Sequence, residues 1–561
     1  VAQFAKKNLF RLSIVITLVA VSSCNHAARA TTAPATVPVH GSQPNIVLIV
    51  VDDMGYSDIG SFGSEIDTPN LDKLAYKGIR FTNFHATPMC STTRATLMTG
   101  IDHHLAGFGN FLDEIADNQK GKPGYEGYLP SDKRTIATLL SKQGYHTSMV
   151  GKWHLGEAVE HGPAAKGFDR SFALMGPGGN HFNNLNFLPK PREVHYLEDG
   201  QPAKLPAGSY SSYFFSDKAK IYIDESLAQQ RPFFSYLAFT APHAPLQAPK
   251  AVIQKYRGKY DQGYASLRNT RMTRMKKMGL IDNNTKAFSQ VPDLTPWNAL
   301  STSEQQIEAR KMEVYAAMIE TIDHSVGELI SYLENKNILK KTVIIFLSDN
   351  GASGVDPLTK IDFRLWAENN FNNDLDNIGS ATSNSFLGPG WANAVSAPLR
   401  MFKRYISEGG IRTPAFIWSP IADTHRTINH SFVSINDIFT TILDIANPHA
   451  VKAKSFAEAG YLGKSLLQVI RGDIDYIHDD NAVYGWELFG YRAARKGPWK
   501  IIHMPEPYGN DSWQLYDLNK DPGELEDLSL QHPKKLQELI NYWEQYAIEN
   551  GVILPNKVYN N

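Results

Sequence analysis

A cysteine and an arginine four positions apart sit among hydroxyl side chains in residues 88–100, PMCSTTRATLMTG. Serine and threonine favour the start of a helix, where unpaired N–H groups and the positive end of the macrodipole make an anion site. Cys90 is then a candidate nucleophile at a helix start, and Arg94 adds a fixed, forked charge beside it. Taken alone, the pair reads as a buried cysteine beside a surface arginine. The rest of the chain overturns that reading. Asp52, Asp53, Asp349 and Asn350 offer oxygen ligands directly after two β-branched apolar runs. Singly, Asp-Asp and Asp-Asn-Gly are ordinary turn formers. Together, with no cysteines or paired histidines of a zinc site at the nearby strand ends, they favour a hard cation, and flexible high coordination favours calcium. Lys152, His154, His243, Lys403 and Arg94 bring cations or potential cations to the same strand ends. That much positive charge suits an anionic group whose charge shifts during reaction, phosphate or sulfate.

These residues need a scaffold, and the apolar runs supply one. Residues 45–51, NIVLIVV, form a continuous β-branched run suited to a parallel strand buried on both faces. Residues 145–150, 233–240 and 342–347 repeat the pattern, and each run leads into a polar cluster holding the candidates. Ligands in open α/β sheets sit beyond the carboxyl ends of the strands, which is where all of these clusters fall. Tyr315, Met318, Ile319, Ile322, Val326, Leu329, Ile330 and Leu333 follow helical spacing and predict a helix that covers one sheet face, as core rather than site. Residues 351–396, rich in Gly, Asn and Ser with scattered aromatic residues, predict a long lid or specificity loop. A last apolar run covers residues 415–418. The fold class expected is α/β: a large mixed, mostly parallel sheet flanked by helices over 45–447. A smaller C-terminal α+β domain over 448–561 follows, with short strands near 483–486, 499–503 and 513–518 and a closing helix over 533–548.

At 561 residues with a net charge of -1, the chain has the composition of a soluble globular protein, and nothing in it suggests a nucleic acid or other polyanion as partner. Lys6, Lys7 and Arg11 precede an apolar run of about 10 residues, short of the roughly 20 of a membrane span, so residues 1–24 read as a signal peptide. It ends in Val21-Ser22-Ser23-Cys24, which resembles a bacterial lipobox, whose cysteine is acylated to become a membrane anchor. Residues 25–44, rich in Ala, Thr and Pro, read as a flexible tether. The expectation is an exported, periplasmic lipoprotein. With Cys24 lipidated, Cys90 has no disulfide partner in an oxidising compartment, a liability unless the thiol is buried, reactive or converted.

The set of motifs resembles the type I sulfatases of the alkaline phosphatase superfamily, above all the larger bacterial arylsulfatases. The likeness includes Thr99-Gly100-Ile101-Asp102-His103-His104, the run PFFSYLAFTAPHAPLQAP, the Gly390-Trp391-Ala392-Asn393 approach to Lys403, and the closing Leu515-Tyr516-Asp517-Leu518 and Asp521-Pro522-Gly523-Glu524. The resemblance implies that a maturation enzyme converts Cys90 to formylglycine, whose hydrate attacks a sulfate ester. It implies one calcium ion on Asp52, Asp53, Asp349 and Asn350, acting as Lewis acid and template. It further implies that Asp349 takes the proton of the attacking hydroxyl, that Arg94 holds the hydrate, and that Lys152 and Lys403 bind sulfate. His243 with Lys403 would protonate the leaving alcohol, and His154 would deprotonate the remaining hydroxyl to release sulfate. The substrate class implied is an aryl sulfate or a sulfated sugar. One position departs from the family's C-x-P-x-R or C-x-A-x-R, namely Thr92. Two other readings stay open on the residues: a phosphodiesterase or phosphonate monoester hydrolase of the same superfamily, and an inactive anion-binding lipoprotein in which Cys90 is not matured.

Overall fold

In the computed structural model the strand Asn45–Asp52 is buried at every position and lies at the centre of a ten-stranded sheet. It pairs in parallel with Thr342–Ser348 on one side and Phe233–Pro242 on the other. From edge to edge the strands run Ile428–Asn429, Ile79–Phe81, Ala415–Trp418, Thr342–Ser348, Asn45–Asp52, Phe233–Pro242, His146–Lys152, Arg170–Leu174, Tyr196–Glu198 and Gln201–Ala203. The expected mixed, mostly parallel sheet is present. The register sets Val51 opposite Ser348 and Asp52 opposite Pro242, with an irregularity between Val50 and Asp52 that turns the chain out of the ladder. The four candidate-bearing strands therefore end side by side. The structure describes residues 43–422, 427–447, 453–557 and 559; the signal segment, Cys24 and the tether up to residue 42 lie outside these.

Alternation along the central strand explains its continuous apolar run. Val47, Ile49 and Val51 face one core cluster, while Ile46, Leu48 and Val50 face another. The helix Thr302–Asn335 packs on the first face, with Met318, Ile319, Ile322, Val326, Leu329 and Leu333 fully buried as their spacing predicts. Its start is fixed by a capping box between Ser301 and Glu304. On the second face lie the candidate helix Cys90–Thr99 and the helix Ile435–Ala446. The long segment 351–396 is not all loop. It contains the helices Ile361–Asn370 and Pro389–Val395, the first largely exposed, which its Asn-rich sequence concealed.

After residue 453 four antiparallel strands, Val483–Leu488, Tyr491–Lys496, Trp499–His503 and Trp513–Asp517, form a separate small sheet closed by the helix Pro533–Glu549. The strand Tyr491–Lys496 has no counterpart in the sequence reading. Its charged Arg492, Arg495 and Lys496 masked a Tyr491, Ala493 alternation that is buried in the structure. Residues 43–561 belong to one compact unit. The expected boundary at 447/448 falls beside residues 448–452, outside the description. No helix of the described residues is long and apolar enough to cross a membrane.

Candidate active site

Cys90 is the first residue of a helix buried along its whole length, with extended Met89 at its N-cap and no side chain capping the end. Its Sγ lies 3.3 Å from His154 Nδ1. Burial pushes the Cys90 thiol up, so it sits there as a neutral thiol rather than a reactive thiolate. His154 is held well below the ordinary histidine range by burial and by the charges of Lys152 and Arg94, and so is a neutral imidazole. Its φ of 55° places it in the left-handed region, a conformation the surrounding fold must impose.

The strand His146–Lys152 delivers Lys152 through Gly151, whose φ of 110° and close approach to Ala238 leave no room for a Cβ. Lys152 Nζ donates to Asp52 Oδ2 at 2.6 Å, both side chains fully buried. Burial alone pushes the Asp52 carboxyl up, but Lys152, with His243, Arg94 and Lys403, outweighs it and holds the group below the usual carboxylate range. Arg94 Nε and Nη2 donate to Asp349 Oδ2 at 2.9 and 2.7 Å, and Nη1 donates to the Lys152 carbonyl at 2.8 Å. Asp349 is raised to about 7 by burial and by the facing Asp52 carboxylate, with Arg94 opposing.

Asp53 turns the chain at φ 71° and gathers three partners. Lys403 Nζ and Asn350 Nδ2 each reach its Oδ1 at 2.7 Å, and His243 Nε2 lies 3.6 Å from its Oδ2. The His243 tautomer is fixed from the other side, where Nδ1 donates to the Ala244 carbonyl at 2.7 Å. Burial draws His243 down and neighbouring Asp53 and Asp52 oppose it, while Lys403 is held up by Asp53 against burial. All ten residues singled out in the sequence thus meet in one connected cluster.

The cluster contains three buried oxygens with no hydrogen-bond partner among the described residues: Asp52 Oδ1, Asp53 Oδ2 and Asn350 Oδ1. Ligand atoms of Asp52, Asp53 and His243 lie within 4.8 Å of one another, as do those of Asp52, Cys90 and Asp349. Buried polar atoms are almost always satisfied, so three orphaned oxygens, two of carboxylates and one of an amide, fit a bound hard cation.

Some supporting residues escaped the sequence reading. Tyr315, assigned there to core packing alone, also points its hydroxyl at Asp58 Oδ2, 2.6 Å away, with the Asp53 carbonyl as the alternative acceptor at 3.1 Å. Asp58 in turn accepts from the Gly55 N–H and pairs with Arg271 at 2.6 Å, which holds the turn after Asp53. Tyr236 places its hydroxyl 3.3 Å from Arg94 Nη1. A hydroxyl at the end of an otherwise apolar stripe was the available signal.

A cationic ring around a buried thiol, beside acidic side chains with unpartnered oxygens at the ends of parallel strands, suits chemistry on a tetrahedral anionic ester. The chain belongs to the sulfatase family, whose model matches residues 44–448. It is 41% identical over 537 residues to an uncharacterized sulfatase of Schizosaccharomyces pombe, covering 91% of this chain and 94% of that one. It is 37% identical over 411 residues to an arylsulfatase of Klebsiella aerogenes, covering 72% and 87%. The crystal structure of Ps i-CgsB in complex with k-i-k-neocarrahexaose shares the fold, with a TM-score of 0.65 at 23% identity over 92% of this chain and 95% of that one. The protein is therefore a sulfuric ester hydrolase.

Proposed function

We propose that this sulfatase works as an arylsulfatase-type enzyme, with formylglycine made from Cys90 and one calcium ion held by Asp52, Asp53, Asp349 and Asn350. The observation that carries the reading is that three buried oxygens without a partner among the described residues, Asp52 Oδ1, Asp53 Oδ2 and Asn350 Oδ1, belong to one cluster in which Asp52 and Asp349 lie beside the Cys90 side chain. The cation, when bound, supplies Lewis-acid polarisation of the sulfate and a template for the attacking group. The Cys90 Sγ stands where the oxygens of a hydrated aldehyde would be. A geminal diol there supplies one hydroxyl to attack and a second to expel sulfate, which a thiol does not.

The chain's own residues divide the remaining work. Asp349 Oδ2 is occupied by Arg94, and its carboxylate, lying with Cys90 and Asp52, takes the proton of the attacking hydroxyl. Arg94 positions Asp349 and the nucleophile together. Lys152 and Lys403 neutralise the sulfate oxygens, and Lys403, kept protonated by Asp53, protonates the leaving oxygen together with His243, which can give a proton from Nε2 only as the imidazolium because its neutral form carries its proton on Nδ1. His154, neutral and 3.3 Å from Sγ, takes the proton that releases sulfate.

Thr92 lies on the buried side of the same helix, where its Oγ1 donates to the Met89 carbonyl at 2.8 Å and meets Thr87 Oγ1. With every residue of Cys90–Thr99 buried, a maturation enzyme must read this segment before the domain closes. The test is the mass of the tryptic peptide spanning residues 81–94 from the native host, taken beside the sulfatase activity of the same preparation. Activity is expected to scale with the fraction of peptide carrying the aldehyde; full activity with only intact thiol overturns the mechanism.

The reading extends to location. Basic Lys6, Lys7 and Arg11, the short apolar run and a small-residue triplet before Cys24 support an exported lipoprotein anchored in a bacterial membrane and facing the periplasm. Labelled palmitate is expected to enter the protein and to be lost in Cys24→Ala. A mature N-terminus beyond residue 24 rules the anchor out.

A further inference from the structure

Each of the two histidines at the centre starts an aromatic wall that runs outward. The His243 ring meets Phe187 at 5.6 Å, and Phe187 meets Phe386 at 6.4 Å. On the other side His154 meets Phe111 at 5.6 Å, Phe111 meets Phe489 at 6.2 Å, and Phe489 meets Tyr559 at 4.9 Å. This second wall carries positive charge. The Arg404 guanidinium lies 4.4 Å over the Phe489 ring, and the Lys557 ammonium 4.5 Å over Tyr559.

Arg404 is placed with unusual force. It follows Lys403 directly, and its N–H donates to the carbonyl of Pro88, two residues before Cys90, at 2.9 Å. Its φ is 82° and that of Phe489 is 59°, so both members of the stacked pair are held in the left-handed region. A fold retains such strain where the surroundings over-determine it, and such residues cluster at functional sites.

The guanidinium so placed is underused. Its Nε is buried with no hydrogen-bond partner among the described residues. Its Nη1 reaches Glu114 Oε1 at 3.4 Å, longer than an ordinary N–H···O bond. The side chain keeps 15% of its surface exposed, so the guanidinium lies at the edge of the buried Phe489 and Tyr559 cluster and still reaches solvent. A planar fork with spare donors matches a carboxylate, and the loosely held Glu114 carboxylate marks where such a group sits.

We propose that Arg404 is a specificity-determining residue that binds a carboxylate on the leaving group, so that the preferred substrate is a sulfate ester whose alcohol or phenol carries a carboxylate. The proposal rests on the sulfatase reading of the site. Lys557 adds long-range attraction for the same group, and Glu114 is the competitor it displaces.

The experiment compares para-carboxyphenyl sulfate with the neutral para-carbamoylphenyl sulfate, as the ratio of their kcat/KM values, in wild-type enzyme, Arg404→Ala and Glu114→Gln. Intrinsic differences between the two phenols cancel when the ratio is compared across variants. The ratio is expected to fall about tenfold or more in Arg404→Ala, the range in which losing a buried charge-assisted contact discriminates between substrates. It is expected to rise in Glu114→Gln, a substitution at a partly exposed side chain that also carries the test should Arg404→Ala not fold. A purely structural Arg404 would move both esters alike. An unmoved ratio in the variants overturns the proposal and leaves ester hydrolysis standing. Wild-type enzyme that carries the aldehyde yet hydrolyses neither ester overturns the arylsulfatase reading, and this proposal with it.

Discussion

Arg94 shows how tightly single residues are specified at this site. Its side chain is fully buried, and three of its nitrogens are committed, two to one oxygen of Asp349 and one to the carbonyl of Lys152. Lysine keeps the charge but has no planar fork, so it cannot hold the Asp349 carboxylate at the end of the strand Thr342–Ser348 and the Lys152 carbonyl at the end of the strand His146–Lys152 at once. Arg94→Lys is expected to lower kcat about 100-fold, because displacement of the proton acceptor by roughly an ångström costs that much. Steady-state kinetics on an aryl sulfate check this, with aldehyde content measured alongside to separate chemistry from maturation. A loss below threefold contradicts the role given to the fork.

At the scale of elements, buried charge ties the small C-terminal sheet to the layers that carry the site. Lys500 on the strand Trp499–His503 reaches Glu408 and Glu524 at 2.8 Å each, and Glu408 also meets His85 at 3.0 Å. These pairs explain the motifs around Glu408 and Glu524. They do so with a direct link to the site, since the Gly351 N–H, one residue after Asn350, donates to Gly410 O in the short helix Glu408–Ile411. A second tie runs through His104, whose Nδ1 meets Asp102 at 2.7 Å and whose Nε2 meets Glu487 of the small sheet at 2.9 Å. Burial draws His104 down, yet hydrogen bonds to the two carboxylates raise it to about 9. The sign follows directly. A histidine raised on folding contributes its stability in full below its unfolded value near 6.5 and loses it as pH climbs through about 9. The contribution is up to about 3 kcal/mol. Denaturant midpoints are expected to fall between pH 6.5 and 9 in the wild type, and His104→Gln should be less stable at pH 6 with a flatter slope across that window. An identical slope in both proteins contradicts the assignment.

For the whole molecule, the fold concentrates negative charge from two strand ends at one point. Asp52, Asp53 and Asp349 are buried together, and only part of their oxygen surface is satisfied by Lys152, Lys403, Arg94 and Asn350. The cation proposed there would bind the folded chain alone, and so would add to its stability by mass action. Chelation is expected to abolish activity and to lower the thermal midpoint by several degrees, with calcium restoring both. Unchanged unfolding together with full activity in chelator removes the cation from the mechanism.

The sequence by itself determined the scaffold and the inventory of the site. A run such as NIVLIVV is apolar on both faces because both faces are covered, and that local pattern survives without any knowledge of the neighbours. Likewise, polar residues after such runs fall at the carboxyl edge of the sheet whatever its strand order. For that reason Asp52, Lys152, His243 and Asp349 were legible from positions far apart in the chain. What the tertiary structure alone decided are the pairings. Nothing local tells that Lys152 spends its charge on Asp52 rather than on solvent, that Tyr315 turns its hydroxyl from the core to Asp53, or that Ala415–Trp418 runs antiparallel against Thr342–Ser348. The strand Tyr491–Lys496 was hidden because its cations find partners and aromatic faces in other segments, as Arg495 does over Phe432. Arg404 over Phe489 is the same kind of fact. Periodicity is written in neighbouring residues, whereas a contact between remote side chains exists only once the whole chain has packed and low local dielectric makes each buried charge seek a partner.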